Sequence, residues 1–213
     1  MTVKDILKLV CSFVGEREIL EKFETESSDF STREQKKIES MTKCFNLVMQ
    51  EIASDYLPFL IKEEIEVENS ILNLSDLSKS VVNIYEIKNR FGINLRFKLF
   101  PEYVEINGKA KTIVYSYLPE EKALDEEIEL CCGLSARVVA YGIASEFLLI
   151  EGISEDAEIW EERFKESLFL LSRKRGEHVL PKRNWFWFFI KTTKSTKRLK
   201  KKILCFRFLG MGL

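Results

Sequence analysis

Three residue types on which much site chemistry depends are scarce in this chain: among 213 residues there are one histidine, His178, four prolines and nine glycines. The lone histidine sits in the polar stretch "RGEHVLP", outside any helical pattern, so a nucleophile activated by a neighbouring imidazole is not expected. None of the glycines falls in a G-x-x-x-x-G-K-[ST] or G-x-G-x-x-G sequence, and no backbone cradle for phosphates is signalled. Five cysteines, Cys11, Cys44, Cys131, Cys132 and Cys205, make no C-x-x-C pair. With a single histidine beside them they assemble no zinc site of the usual spacing and read as reduced core or boundary thiols. The adjacent Cys131 and Cys132 bond to each other only under severe strain, and nothing nearby lowers a thiol pKa. No run reaches the roughly 18 to 20 apolar residues of a membrane span. The opening "MTVKDILKLV" puts Lys4, Asp5 and Lys8 where a signal peptide would be apolar, so the chain is expected to be made in the cytosol, with no metal, cofactor or membrane partner.

What is present is enough for a folded body: 46% of residues are hydrophobic and 12% aromatic. The near-neutral net charge of −1 conceals two opposed halves. Residues 180–213 hold ten of the 33 Lys and Arg and none of the 34 Asp and Glu, which leaves the preceding residues at −11. Acidic pairs recur at Glu63 and Glu64, Glu120 and Glu121, Glu126 and Glu127, and Glu161 and Glu162. They fall on segments that read as edges, loops and outer helix faces, where a solvated acidic surface is the expectation rather than a catalytic carboxylate pair. The chain is read as not an enzyme.

The period of the hydrophobic pattern changes twice. Residues 2–23 read as one helix, with Thr2 and Asp5 in capping-box positions and Ile6, Leu9, Val10, Phe13 and Val14 on a stripe. Ser31 and Glu34 repeat the signature before a second helix that carries Ile38, Met41, Phe45, Val48, Met49 and Ile52 and ends at Pro58. From Leu60 the period becomes two. A strand pair is expected from "IKEEIEVE" and "SILNL", a strand over Val81 to Lys88, a turn at Gly92, and a two-residue hairpin at Asn107-Gly108 between "EYVEI" and "KTIVYSYLP". Helical spacing returns in "LSARVVAYGIASEFLLIEG", apolar over so much of its circumference that it should be the buried centre. Gly152 should end that helix and Ser154 cap a last one carrying Ala157, Trp160, Phe164, Leu168 and Leu171. The expected fold class is α+β: two N-terminal helices, a small antiparallel sheet or hairpin region, two C-terminal helices and an extended basic-aromatic tail. A single domain spans residues 1–179, with helices in 1–58, strands in 60–118 and helices in 134–175.

The extension, residues 180–213, opens with "LPKRNWFWFFIK", in which Trp185 to Phe189 are five consecutive aromatics. A block of that kind is hard to leave in water, so a docking role is expected for Leu180 to Trp187. Lys191 to Leu213 reads either as an unstructured extension or as a stretch appended by a shift of reading frame. Its "KSTKRLKKK" suits phosphates bound without sequence preference, which keeps open a nucleic-acid-binding or regulatory protein. A membrane-surface role for "WFWFFIK" is a third possibility.

The segments "NLVMQEIASDYLP", "YSYLPEEKALDEEIE", "RVVAYGIASEFLLIEGISEDAEIWEERFKESL" and "LPKRNW", in that order, resemble small proteins of tailed phages and prophages. The order of elements over residues 2–187 is similar to the head–tail connector (adaptor) family that includes tail tubular protein A of podoviruses and other portal-attached adaptors. The resemblance implies a noncatalytic virion protein at the portal–tail junction: a ring of identical subunits, about 12, bound to the portal protein and to a tail component. Genomic DNA would pass through its lumen without sequence-specific binding, and an acidic body suits that by repelling phosphates. By position, Pro181, Lys182, Arg183 and Trp185 would dock on the portal. The last helix would supply subunit contacts through Glu158, Glu161, Glu162 and Arg163 early on and Arg173, Lys174 and Arg175 at its end.

Overall fold

The computed structural model describes residues 1–67, 70–130 and 133–175, and the expected extension, residues 180–213, lies outside them. The fold is α+β, with helices gathered round one core and six strands round another.

The chain opens with α1 (Val3–Val14), α2 (Arg17–Glu24) and α3 (Thr32–Glu51). Both capping boxes form: the Thr2 hydroxyl accepts from the Asp5 N–H while the Asp5 carboxylate takes the Thr2 N–H, and Ser31 and Glu34 repeat the exchange. The first segment is two helices and not one. Gly15 stands at φ 79°, a left-handed conformation that closes α1, and α2 starts afresh at Arg17 and sends Ile19 and Phe23 into the core. The first amides of α1 are satisfied from a distant loop, Val3 N–H by the Glu126 carbonyl at 3.2 Å and Lys4 N–H by that of Leu124 at 2.9 Å. α3 runs on into a π turn, Ile52–Tyr56, where the Leu57 N–H reaches the Ile52 carbonyl at 2.7 Å. Pro58 then prevents further helix.

Six strands follow: β1 (Phe59–Val67), β2 (Ile71–Asn73), β3 (Val81–Lys88), β4 (Phe97–Leu99), β5 (Tyr103–Ile106) and β6 (Ala110–Tyr117). They form two antiparallel three-stranded sheets, ordered β1-β6-β3 and β2-β5-β4. Two sequence expectations fail here. β1 and β2 do not pair with each other, and β5 and β6 do not form a hairpin. The reason for the second lies at the turn: Gly108 takes φ 123° but Asn107 stays at negative φ, so the tight turn with both central residues left-handed does not form. The Asn107 N–H instead donates to the Arg96 carbonyl at 2.9 Å, extending the β4–β5 ladder while β6 departs to the other sheet. The two sheets share a core of Leu72, Val104 and Ile106 from one and Ile84, Ile87, Ile113 and Tyr115 from the other. Tyr117, at the end of β6, touches both this core and the helical one.

The central position goes, as the apolar circumference predicts, to α4 (Ala136–Ile150), which packs against α1, α3 and α5 (Ser154–Arg175). Gly152 at φ 80° ends α4, with its N–H on the Leu149 carbonyl and that of Ile153 on Leu148, the paired bonds of a left-handed helix stop. Ser154 is the first residue of α5 and not its cap: the Ile153 carbonyl already takes the Ala157 N–H. α5 buries Ala157, Phe164 and Leu168, with Trp160 and Leu171 packed on the core edge. Among the described residues no helix is long and apolar enough to cross a membrane.

Candidate functional site

At least one member of each carboxylate pair that stands out in the sequence has a partner within the fold. Glu63 accepts the Tyr115 hydroxyl at 2.7 Å and is bonded by Ser78 through both hydroxyl and backbone N–H. Its partial burial works against the charged form, but the bonds from Ser78 and Tyr115 prevail and hold its pKa below the ordinary value. Glu120 pairs with Lys79 at 2.6 Å, Glu126 with Lys122 at 2.8 Å, and Glu161 with Lys165 one turn along α5. Among the described residues no group of three or more His, Cys, Asp or Glu is placed to hold a metal ion. Burial pushes the Cys11 thiol up to about 12 and that of Cys44 up to about 11, which leaves both without the thiolate that nucleophilic chemistry requires. Cys131, Cys132, Cys205 and His178 lie outside the described residues.

An open groove of about 510 Å³ runs along β4 and β5, lined by Arg96, Phe97, Lys98, Glu105 and Asn107. It holds no pair of groups related as nucleophile and base. Other surfaces of the described residues are exposed and of mixed charged and apolar character.

The outward face of α5 is the most distinctive of them. Because this helix is pressed on α4 by Ala157, Phe164 and Leu168, the residues a half-turn away face solvent. They are Glu158, Ile159, Glu162, Glu166, Phe169, Leu170 and Arg173, all exposed, with Phe169 55% and Leu170 58% accessible. The face thus begins acidic and ends apolar and basic. Of the residues expected at a subunit contact, Glu158, Glu162 and Arg173 lie on it together. Glu161 is turned aside to Lys165, and the Arg163 guanidinium lies over the Trp160 ring at 4.8 Å. Arg173 stacks on Phe169 at 4.7 Å. Lys174 and Arg175 close the helix, and their side chains lie outside the described residues, as do Pro181, Lys182, Arg183 and Trp185.

Two further surfaces have no counterpart in the sequence reading. The turn after β3 lifts Phe91 (70% accessible) and Ile93 (61%) into solvent, and it is held rigid by the Asn89 side chain, whose Oδ1 accepts from the Phe91 N–H at 2.9 Å and the Ile93 N–H at 3.0 Å. The outward face of α3 exposes Arg33, Lys36, Lys43 and Leu47. Each is unremarkable in isolation, and it is the spacing along one helix that joins them. No protein-family model matches this chain, and no curated protein matches it either.

Proposed function

We propose that the chain is a noncatalytic assembly protein of a tailed-phage virion: a connector subunit, repeated as a ring, that joins the portal to the tail and lets DNA pass without sequence-specific binding. The observation that carries the reading is the outward face of α5. It is a 22-residue helix that closes the bundle on one side and leaves charged and apolar side chains of ordered sign exposed on the other. Such a surface suits a protein partner. The order of elements, helices then strands then helices then a basic-aromatic end, agrees with what the family resemblance implies. In this reading the portal–tail junction is the site of action, and Pro181, Lys182, Arg183 and Trp185 dock on the portal.

The test is co-assembly with the portal protein encoded in the same genome, imaged by electron microscopy, for the full chain and for a chain cut after Val179. A ring capping the portal that disappears on truncation is the expected result. A bare portal with both forms would sink the connector reading.

A nucleic-acid-binding reading is favoured by one observation, the ten basic and no acidic residues of positions 180–213. If it holds, deleting residues 188–213 abolishes binding to duplex DNA, and the affinity of the full chain falls steeply with salt. Weak, salt-insensitive binding by the full chain would end it.

A further inference from the structure

Resting on the assembly reading, we infer that the outward face of α5 of one copy packs in parallel against the outward face of α3 of the next. The two faces complement each other at four positions with a nearly constant offset. On α3 the order from the N-terminus is Arg33, Lys36, Lys43 and Leu47, all exposed. On α5 it is Glu155, Glu158, Glu166 and then Phe169 and Leu170, all exposed. Adding 122 or 123 to each α3 position brings Arg33 level with Glu155, Lys36 with Glu158, Lys43 with Glu166, and Leu47 with Phe169 and Leu170.

Lys36 to Leu47 and Glu158 to Phe169 each span eleven positions, about 16 Å of helix, so the match extends over three turns. None of these charged side chains makes a salt bridge among the described residues. At the same offset the one acidic residue on the α3 face, Glu39, falls level with Glu161 and Glu162, next to Arg163, and is the one like-charge match along the two faces. An antiparallel approach over the same span would set Leu47 against Glu158 and Lys36 against Phe169, which loses the apolar contact and leaves only Lys43 opposite a carboxylate, Glu162. Parallel alignment is therefore the orientation selected.

The two faces are different surfaces of one subunit, so the contact is heterologous: each copy offers α5 to one neighbour and α3 to the other. That is the geometry a closed ring needs. Charged rims on both sides set register and orientation, while Leu47, Phe169 and Leu170 supply the part of the contact that excludes water.

Sedimentation velocity of the purified full chain over a range of concentration and salt tests this, with K36E/K43E, E158K/E166K and the four-fold combination as variants. All four positions are exposed, and thermal melts establish that each variant is folded. The wild type should self-associate, less so as salt rises. Each pair of reversals should weaken association by about tenfold or more, and the combination should recover it. A wild type that stays monomeric at every concentration, reversals without effect, or a combination that fails to recover would each overturn the contact. The outcome separates cleanly from the portal experiment. A chain that associates through these faces and leaves the portal bare defeats the connector reading alone; K36E/K43E or E158K/E166K alone capping the portal as well as the wild type does defeats only the α3–α5 contact.

Discussion

Gly142 in α4 lies so close to Phe164 in α5 that a β-carbon there would stand 2.9 Å from the ring, and on the other side 2.8 Å from Val48 of α3. Three helices converge on one hydrogen atom. Ser145, a turn later, ties the same pair of helices together by donating its buried hydroxyl to the Ala157 carbonyl at 3.0 Å.

Gly142→Ala should therefore destabilise. Alanine gains about 1 kcal/mol of helix propensity over glycine, but overpacking of a tight core costs typically 1–3 kcal/mol, and neither Val48 nor the Phe164 ring has a free end to swing away. The net expectation is a loss of about 1 kcal/mol and a fall of roughly 2–4 °C in melting temperature. A variant that melts at or above the wild type would show that α3 and α5 can separate without cost, and would undo the claim that α4 is rigidly clasped.

Lys22 and Glu34 predict the acid limb of stability. The Lys22 ammonium sits 2.7 Å from both carboxylate oxygens of Glu34, and Ser31 adds its backbone N–H at 2.6 Å. The hydrogen bonds from Lys22, followed by those of Ser31, hold the Glu34 carboxyl down to about 2, against an ordinary 4.5. A depressed pKa contributes stability that is complete above 4.5 and disappears as pH falls towards 2. Glu34→Gln keeps a side chain able to accept the Ser31 N–H but removes the charge. Its urea midpoint should lie below that of the wild type at pH 6, with the gap closing between about pH 4.5 and pH 2. A gap independent of pH would assign the effect to packing instead.

The elements legible in the sequence were those whose determinants are local. A capping box is an exchange between residues three apart, so Thr2 with Asp5 and Ser31 with Glu34 stood out. The run Val81 to Lys88 carried its own strand signal and its bounds agree with β3. Partner choice is not local. Asn107-Gly108 looks the same whether the strands it joins pair or part, and what decides is the Arg96 carbonyl, just before β4, which accepts the Asn107 N–H. Gly15 gives no clear sign of a break in the sequence, because the apolar spacing resumes at Ile19 as though the helix continues. For the candidate contacts, the charged order along α5 was visible, but the answering order on α3 emerges only when burial shows that Lys36, Lys43 and Leu47 share an outward face.

Glu51 marks a place where the fold tolerates a cost. It stands at the end of α3, partly buried, where the chain passes into the π turn. Desolvation first, then the negative charges of Glu146 from α4, Asp55 from the π turn and Glu161 from α5 raise its pKa; only Lys165 opposes them. A carboxyl whose folded pKa is raised lowers stability wherever it is ionised, and the penalty is absent once pH falls below its ordinary 4.5. Glu51→Gln should then raise the melting temperature at pH 7 and have no such effect at pH 4. Replacing Lys165 with methionine should do the reverse at pH 7, because it withdraws the one positive charge that offsets the cluster. Equal shifts for Glu51→Gln at both pH values would mean that shape, and not the crowding of Glu51, Asp55, Glu146 and Glu161, governs this junction of three helices.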